Sequence, residues 1–147
     1  KAGLAAGPCL FKDTMQLSSF SGNNFFLGHS AMLVNEGLPD FVVESIKKKR
    51  DISDLTIGVL GMAFKGNNDD PRESLSYKLK KKLEVEAGTV LCHDPYIKDS
   101  RFVSLDEIRK KADVVVVATP HSDYKDLKWG NKLVVDMWNF YGNGGLI

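Results

Sequence analysis

Two short stretches of this 147-residue chain carry side chains able to do chemistry. The first is Gly7-Pro8-Cys9-Leu10-Phe11-Lys12-Asp13. A cysteine attacks a carbonyl as its thiolate, and a helix N-terminus or a nearby cation favours that thiolate. Cys9 lies just ahead of a predicted helix start at Asp13-Thr14. Lys12 supplies the cation, and Asp13 is a candidate base for orienting a water. A plainer reading of the same residues makes Asp13 a helix cap and Cys9 a buried side chain. The second stretch is GMAFKGNNDDPRES, Gly61 to Ser74. Lys65 and Arg72 near a helix N-terminus form a subsite for phosphate or carboxylate. Its plainer reading has Asp70 capping the next helix and Pro71 at the first helical position. That accounts for Asp70, Pro71 and Glu73, and leaves Phe64-Lys65 and Arg72 unexplained.

The elements around these stretches divide into two patterns. From Thr14 to about Lys49 the apolar residues recur at helical spacing, as in Met15, Phe20, Phe25, Met32, Val42 and Ile46. Gly22-Asn23-Asn24 ends a first helix. A long second helix follows, with a break near Gly37 because Pro39 removes a backbone donor. From Leu55 onward short β-rich runs alternate with helices. Thr56–Gly61 reads as a buried strand. Ser74–Gly88 reads as an amphipathic helix, with Leu75, Leu79, Leu83 and Val85 inward. Thr89 to Pro95 is a second strand, Leu105 to Lys111 a short helix, and Asp113–Thr119 a third strand. His121 to Leu127 is a helical turn, and Lys132–Trp138 a fourth strand. This alternation predicts an α/β fold: a Rossmann-like parallel sheet with right-handed crossovers, preceded by a helical segment. Ligands of such sheets bind at the carboxyl ends of the strands. Gly61 to Asp70, His93 to Tyr96, Thr119 to Ser122 and Asp136 to Asn139 then converge on one rim.

Composition removes several function classes. A net charge of +1 gives no global attraction to nucleic acid or an anionic membrane. The basic runs Lys47–Arg50 and Lys80–Lys82 read as solvated helix faces. No apolar run approaches the roughly 18 residues of a membrane span. Three scattered histidines and no cysteine pair give no metal-ligand spacing, so no metal is expected. Two cysteines make no disulfide framework, and a reducing, cytoplasmic compartment is the default. Cys92, within Val90-Leu91-Cys92, reads as an inert core thiol. Gly58 and Gly61 lack the further glycine of a GxGxxG dinucleotide turn, and the loop after them is too long for one. The chain opens on Lys1, and its first ten residues read like the interior of a longer protein.

Together the two reactive stretches resemble the UDP-glucose / UDP-N-acetyl-mannosamine 6-dehydrogenase family of nucleotide-sugar dehydrogenases. The catalytic loop of that family runs approximately G-G-x-C-x-x-K-D, and Ala6-Gly7-Pro8-Cys9-Leu10-Phe11-Lys12-Asp13 is similar to it. A second family loop runs approximately G-x-A-F-K-x-x-T-D-D-x-R-E-S, and Gly61 to Ser74 follows it with Asn68 at the threonine. The resemblance covers essentially the whole chain. It implies the C-terminal part of an NAD-dependent enzyme that oxidises the C6 alcohol of a UDP-hexose to the uronate, a product used in polysaccharide biosynthesis. By the resemblance, residues 1–50 hold the catalytic-cysteine loop and a central helical region that forms a homodimer. Residues 51–147 form the UDP-sugar-binding domain. NAD is bound mainly by an N-terminal domain that this sequence lacks, so the isolated chain is expected to bind UDP-sugar without turnover. Cys9 would be the nucleophile, Asp13 would assist water activation, and Lys12 would lie near the cofactor. Phe64, Lys65 and Arg72 would contact the substrate. One departure stands out: the family pattern D-x-R-N at the end of the last strand is Asp136-Met137-Trp138-Asn139 here. The rival reading is a non-catalytic nucleotide-binding module, regulatory or oligomeric, in which Cys9 is incidental.

Overall fold

The computed structural model describes residues 3–143. Three helices come first: α1 (Leu10–Phe20), α2 (Phe26–Glu36) and α3 (Leu38–Lys49). The remainder alternates β1 (Thr56–Leu60), α4 (Leu75–Glu86), β2 (Thr89–His93), α5 (Leu105–Lys111), β3 (Val114–Val117) and β4 (Leu133–Asp136). A single 3-10 turn at Ser122–Tyr124 lies between β3 and β4. The four strands form one parallel sheet in the order β2-β1-β3-β4. The chain leaves β1 toward β2 on one side and returns across it to β3 on the other. The carboxyl ends of β1 and β3 therefore flank the switch point, where doubly wound sheets take their ligands.

Both sheet faces are covered, which explains the unbroken apolar runs of the central strands. Ile57, Val59, Val114 and Val116 point toward α3 and α4, where they meet Val42, Val43, Ile46, Leu75, Leu79 and Leu83. Leu60 and Val115 point the other way, toward Ile108, Tyr124 and Trp129. Gly58 belongs to this second packing: a Cβ there would stand 2.5 Å from Cγ2 of Ile108. Its purpose is close approach of α5 to the sheet.

The predicted elements are present with shifted ends. The long second helix is divided as expected, with Gly37 serving as the last cap of α2 and the first of α3. Two caps fall elsewhere than predicted. Helix α1 starts at Leu10 with Cys9 in the cap position, and Asp13 lies inside its first turn. Helix α4 starts at Leu75, where the Ser74 hydroxyl accepts from the Ser76 amide, so Asp70-Pro71 is not its cap. Glu73 at φ +54° interrupts any earlier helix, since that region disfavours L side chains. Val85 faces solvent at 83% exposure rather than the core, because it is only two positions from Leu83 on a helix.

Candidate functional site

The loop after β1 is bound to its neighbours by backbone groups. Gly61 takes φ +85°, and a Cβ there would lie 2.5 Å from Thr119, so only glycine lets the chain turn against the end of β3. The Gly61 amide donates to the His93 carbonyl (2.9 Å). The next two amides, Met62 and Ala63, donate to Oδ2 of Asp94 at 2.6 and 3.1 Å. The Ala63 carbonyl accepts from the Thr119 hydroxyl (2.6 Å) and the Ser74 hydroxyl (3.1 Å). Oδ1 of Asp94 takes the amides of Tyr96 and Ile97 at 2.9 and 3.0 Å, the strand-end turn expected for His93-Asp94-Pro95.

Asp94 and His121 form the buried centre of this scaffold, each with a side chain 0% exposed. The His121 ring donates from Nε2 to Oδ2 of Asp94 (3.1 Å) and accepts at Nδ1 from the Asn67 amide (2.9 Å). A backbone amide can only donate, so the ring is the neutral Nε2–H tautomer. Burial alone would push the Asp94 carboxyl up. The hydrogen bonds from His121 and from the amides of Met62, Ile97 and Tyr96 outweigh it and hold the group well below the usual carboxylate range.

The predicted binding residues project from this loop. The Phe64 ring is half-buried. The Lys65 ammonium lies 5.5 Å from the centre of that ring and is exposed. Arg72 is exposed and clamps Asp70, with Nε to Oδ1 at 2.9 Å and Nη2 to Oδ2 at 2.6 Å. That hydrogen bond holds the guanidinium pKa up and the Asp70 carboxyl down. Arg72 thus stiffens the loop, and keeps an outer face toward solvent.

The cysteine segment lies against the same rim, held at three places. The Trp138 ring covers Gly3, whose Cβ would stand 2.3 Å from it, and its Nε1 donates to the Ala118 carbonyl (2.9 Å). Nδ2 of Asn35 donates to the Ala5 carbonyl (2.7 Å). Gly7, buried at φ +139°, puts its Cα face against Phe64, with a built Cβ 3.3 Å from Cδ2 of that ring. Helices α1 and α2 are tied on through Lys78, whose ammonium lies 6.0 Å over the Phe11 ring of α1 and pairs with Glu36 of α2. Cys9 itself is exposed at the N-terminus of α1. Lys12 pairs with Asp13 at 3.1 Å on the surface. The hydrogen bond and charge of Asp13, and then the charge of Cys9, keep the Lys12 ammonium protonated; Cys9 acts likewise on Arg72.

The two reactive stretches, far apart in sequence, therefore meet through Gly7 and Phe64. The supporting groups Asp94, His121, Asn35 and Trp138 were not legible as partners beforehand. The available hint was a cluster of polar residues at strand ends, where the rim had to be. Cys92 is buried as expected, and burial pushes its thiol up to about 11. No helix among the described residues is long and apolar enough to cross a membrane.

Comparison with known proteins places this geometry. A family model for the UDP binding domain of the UDP-glucose/GDP-mannose dehydrogenase family matches residues 58–143. A UDP-N-acetyl-D-mannosamine dehydrogenase of Methanocaldococcus jannaschii is 35% identical over 147 residues, covering 90% of this chain and 34% of that protein. One from Pyrococcus horikoshii is 34% identical, covering 84% of this chain and 30% of that protein. The solved structure of UDP-D-ManNAc dehydrogenase from P. horikoshii superposes with a TM-score of 0.84 at 30% identity, over 95% of this chain and 36% of that one. A UDP-glucose dehydrogenase from Pyrobaculum islandicum gives 0.80 at 28%, over 92% of this chain and 35% of that one. The chain spans about a third of the length of these relatives. With a domain match over more than half of its residues and neighbours of one kind by sequence and by shape, the chain belongs to the UDP-glucose/GDP-mannose dehydrogenase family and contains its UDP-binding domain.

Proposed function

We propose that residues 51–147 bind a UDP-sugar on the rim built by Gly61–Ser74, and that residues 1–50 bring the nucleophile of a nucleotide-sugar 6-dehydrogenase to it. The observation that carries this reading is the packing of Gly7 on Phe64, which joins the cysteine segment to the substrate loop. Lys65 and the outer face of Arg72 suit the diphosphate, a dianion held by cations at the mouth of a switch point. Phe64 offers a flat apolar surface to the sugar.

The turn after β1 lacks the further glycine of a GxGxxG dinucleotide turn. Gly61 packs on Thr119, and Gly58, inside β1, packs on Ile108 of α5. The chemistry NAD supplies when bound is acceptance of a hydride, twice per turnover. Lys12, exposed three residues after Cys9, would be the group that faces it. The chain's own part is covalent. The Cys9 sulfur adds to the C6 aldehyde carbon, and the carbonyl oxygen takes a proton, giving a thiohemiacetal. Departure of the hydride from that carbon to the bound acceptor, with the hydroxyl proton passing to water, would leave a thioester on Cys9. Water, deprotonated with the help of Asp13, would attack the thioester carbon; the C–S bond breaks, returning the thiolate, and the carboxylic acid formed gives its proton to solvent as it leaves as the carboxylate.

Saturating UDP is expected to raise the melting temperature of the 147-residue chain. At a hundred times the dissociation constant the stabilisation is about 2.7 kcal/mol. Lys65→Ala should lower the UDP affinity with little change in the ligand-free melting temperature. A melting curve that ignores millimolar UDP favours the rival, a module with an incidental cysteine.

The helices support a second element of the reading, a homodimer. Phe20 and Leu27 are 92% and 83% exposed, and Phe26 and Val34 lie open beside them. Apolar faces of that extent on α1 and α2 are suited to burial against a second copy. Sedimentation should show a dimer at micromolar concentration, and Leu27→Glu should give monomers. A monomeric wild-type chain overturns it. Free thiols at Cys9 and Cys92 fit a reducing compartment such as the cytoplasm.

A further inference from the structure

The segment that presents Phe64 and Lys65 is held at two ends by different devices. At its start, Asp94 takes the Met62 and Ala63 amides, and the Thr119 and Ser74 hydroxyls reach the Ala63 carbonyl. At its far end, the Asn67 amide reaches Nδ1 of His121, and Oδ1 of Asn67 accepts from the Ser122 amide and hydroxyl at 2.8 and 3.0 Å. Gly66 lies between, so close to the Pro120 carbonyl that a Cβ would stand 2.5 Å from its oxygen. Asn67 takes φ +55°, so its amide points inward at the ring instead of continuing an extended chain. His121 spans both devices, since its Nε2 donates to the same Asp94 oxygen that takes the Met62 and Ala63 amides. Tyr96 and Tyr124 flank the ring at centroid distances of 5.0 and 5.6 Å and keep it dry.

We infer that His121 is a positioning residue for UDP-sugar binding: its Nδ1 lone pair holds the Asn67 amide and so sets where Phe64 and Lys65 stand. The inference rests on the proposed binding of UDP at this loop. It assigns the two ring nitrogens separate tasks. Nε2–H joins the ring to Asp94, and Nδ1 carries the loop.

Two substitutions separate those tasks. His121→Gln can keep a donor near the Nε2 position and offers nothing at Nδ1. His121→Asn can keep an acceptor near Nδ1 and loses the donor to Asp94. Both delete the ring and its tyrosine contacts, so both should lose stability alike. The measurements are amide hydrogen exchange at Asn67 and UDP affinity by calorimetry. In His121→Gln the Asn67 amide should exchange about tenfold faster and UDP bind about tenfold more weakly, the cost of one buried hydrogen bond. In His121→Asn both should stay within about threefold of wild type. Wild-type chain also gives a direct reading, because ring nitrogen shifts report Nδ1 as unprotonated if the inference holds. An Nδ1–H ring overturns it without any variant. So does a His121→Gln chain that binds UDP as wild type does. A wild-type chain with a protected Asn67 amide and no UDP binding overturns the functional reading instead, and the positioning role with it.

Discussion

Iodoacetamide at pH 7 is expected to modify Cys9 at least about a hundredfold faster than Cys92. The reagent reacts with the thiolate. With its thiol pushed up to about 11, Cys92 holds only about one part in ten thousand as thiolate at pH 7. A free cysteine holds a few per cent. Burial adds a second factor: Cys92 is 3% exposed within β2, and the reagent reaches it only when the sheet opens. Cys9 is exposed at the first turn of α1, with Lys12 beside it. Peptide mapping after partial labelling measures the ratio. Equal rates for both thiols would show that Cys9 is not presented as a nucleophile, and the covalent mechanism would lose its first step. Adding UDP-sugar should slow Cys9 alone, because the sugar is proposed to lie beside the segment that carries it, where Gly7 packs on Phe64.

How much of this was legible in the sequence depended on the range of the interaction. Helix α5 was readable to its ends because its determinants are local: the Ser104 hydroxyl accepts from the Glu107 amide, and Ile108 is its one buried side chain. The valine run of β3 identified a central strand because only a doubly covered strand tolerates it. The start of α4 misled because Asp70-Pro71 has the chemistry of a cap. The structure uses Asp70 to accept from the Arg72 amide and to pair with its guanidinium, and gives the cap to Ser74. Reactive residues stood out by type, and the family pattern gave them roles. Their supports did not stand out. Nothing at Asp94 or His121 announces that they meet across 27 positions, or that Trp138, found where the pattern has arginine, would cover Gly3. Such pairs are set by the strand order, and become visible only when β2, β1 and β3 lie side by side.

Asp94→Asn is expected to cost about 3–5 kcal/mol, the usual penalty for removing one partner from a buried charged network. Five donors converge on this carboxylate: the amides of Met62, Ala63, Tyr96 and Ile97, and Nε2–H of His121. An asparagine has one acceptor oxygen, and its NH2 would face at least two of those donors. The rim would lose the turn after β1 and the turn after β2 together. A domain of this size has about 5–15 kcal/mol of stability to lose, so the variant should be close to unfolding in modest urea. The pH dependence has a definite sign. The folded-state pKa of Asp94 is depressed below its unfolded value of about 3.9. Its contribution is therefore present above that value and is lost as pH falls through the folded pKa, because the unfolded chain takes up the proton first. Urea midpoints of wild type and Asp94→Asn should differ by a constant amount above about pH 5 and converge below about pH 4. The subtraction matters, since Asp70 and Asp99 are also held low by their arginine neighbours and appear in both chains. A gap under about 1 kcal/mol at pH 7 would reduce Asp94 to an ordinary turn residue. A gap that does not narrow in acid would show that the carboxylate's charge is not what holds the rim, and that hydrogen-bonding shape alone does.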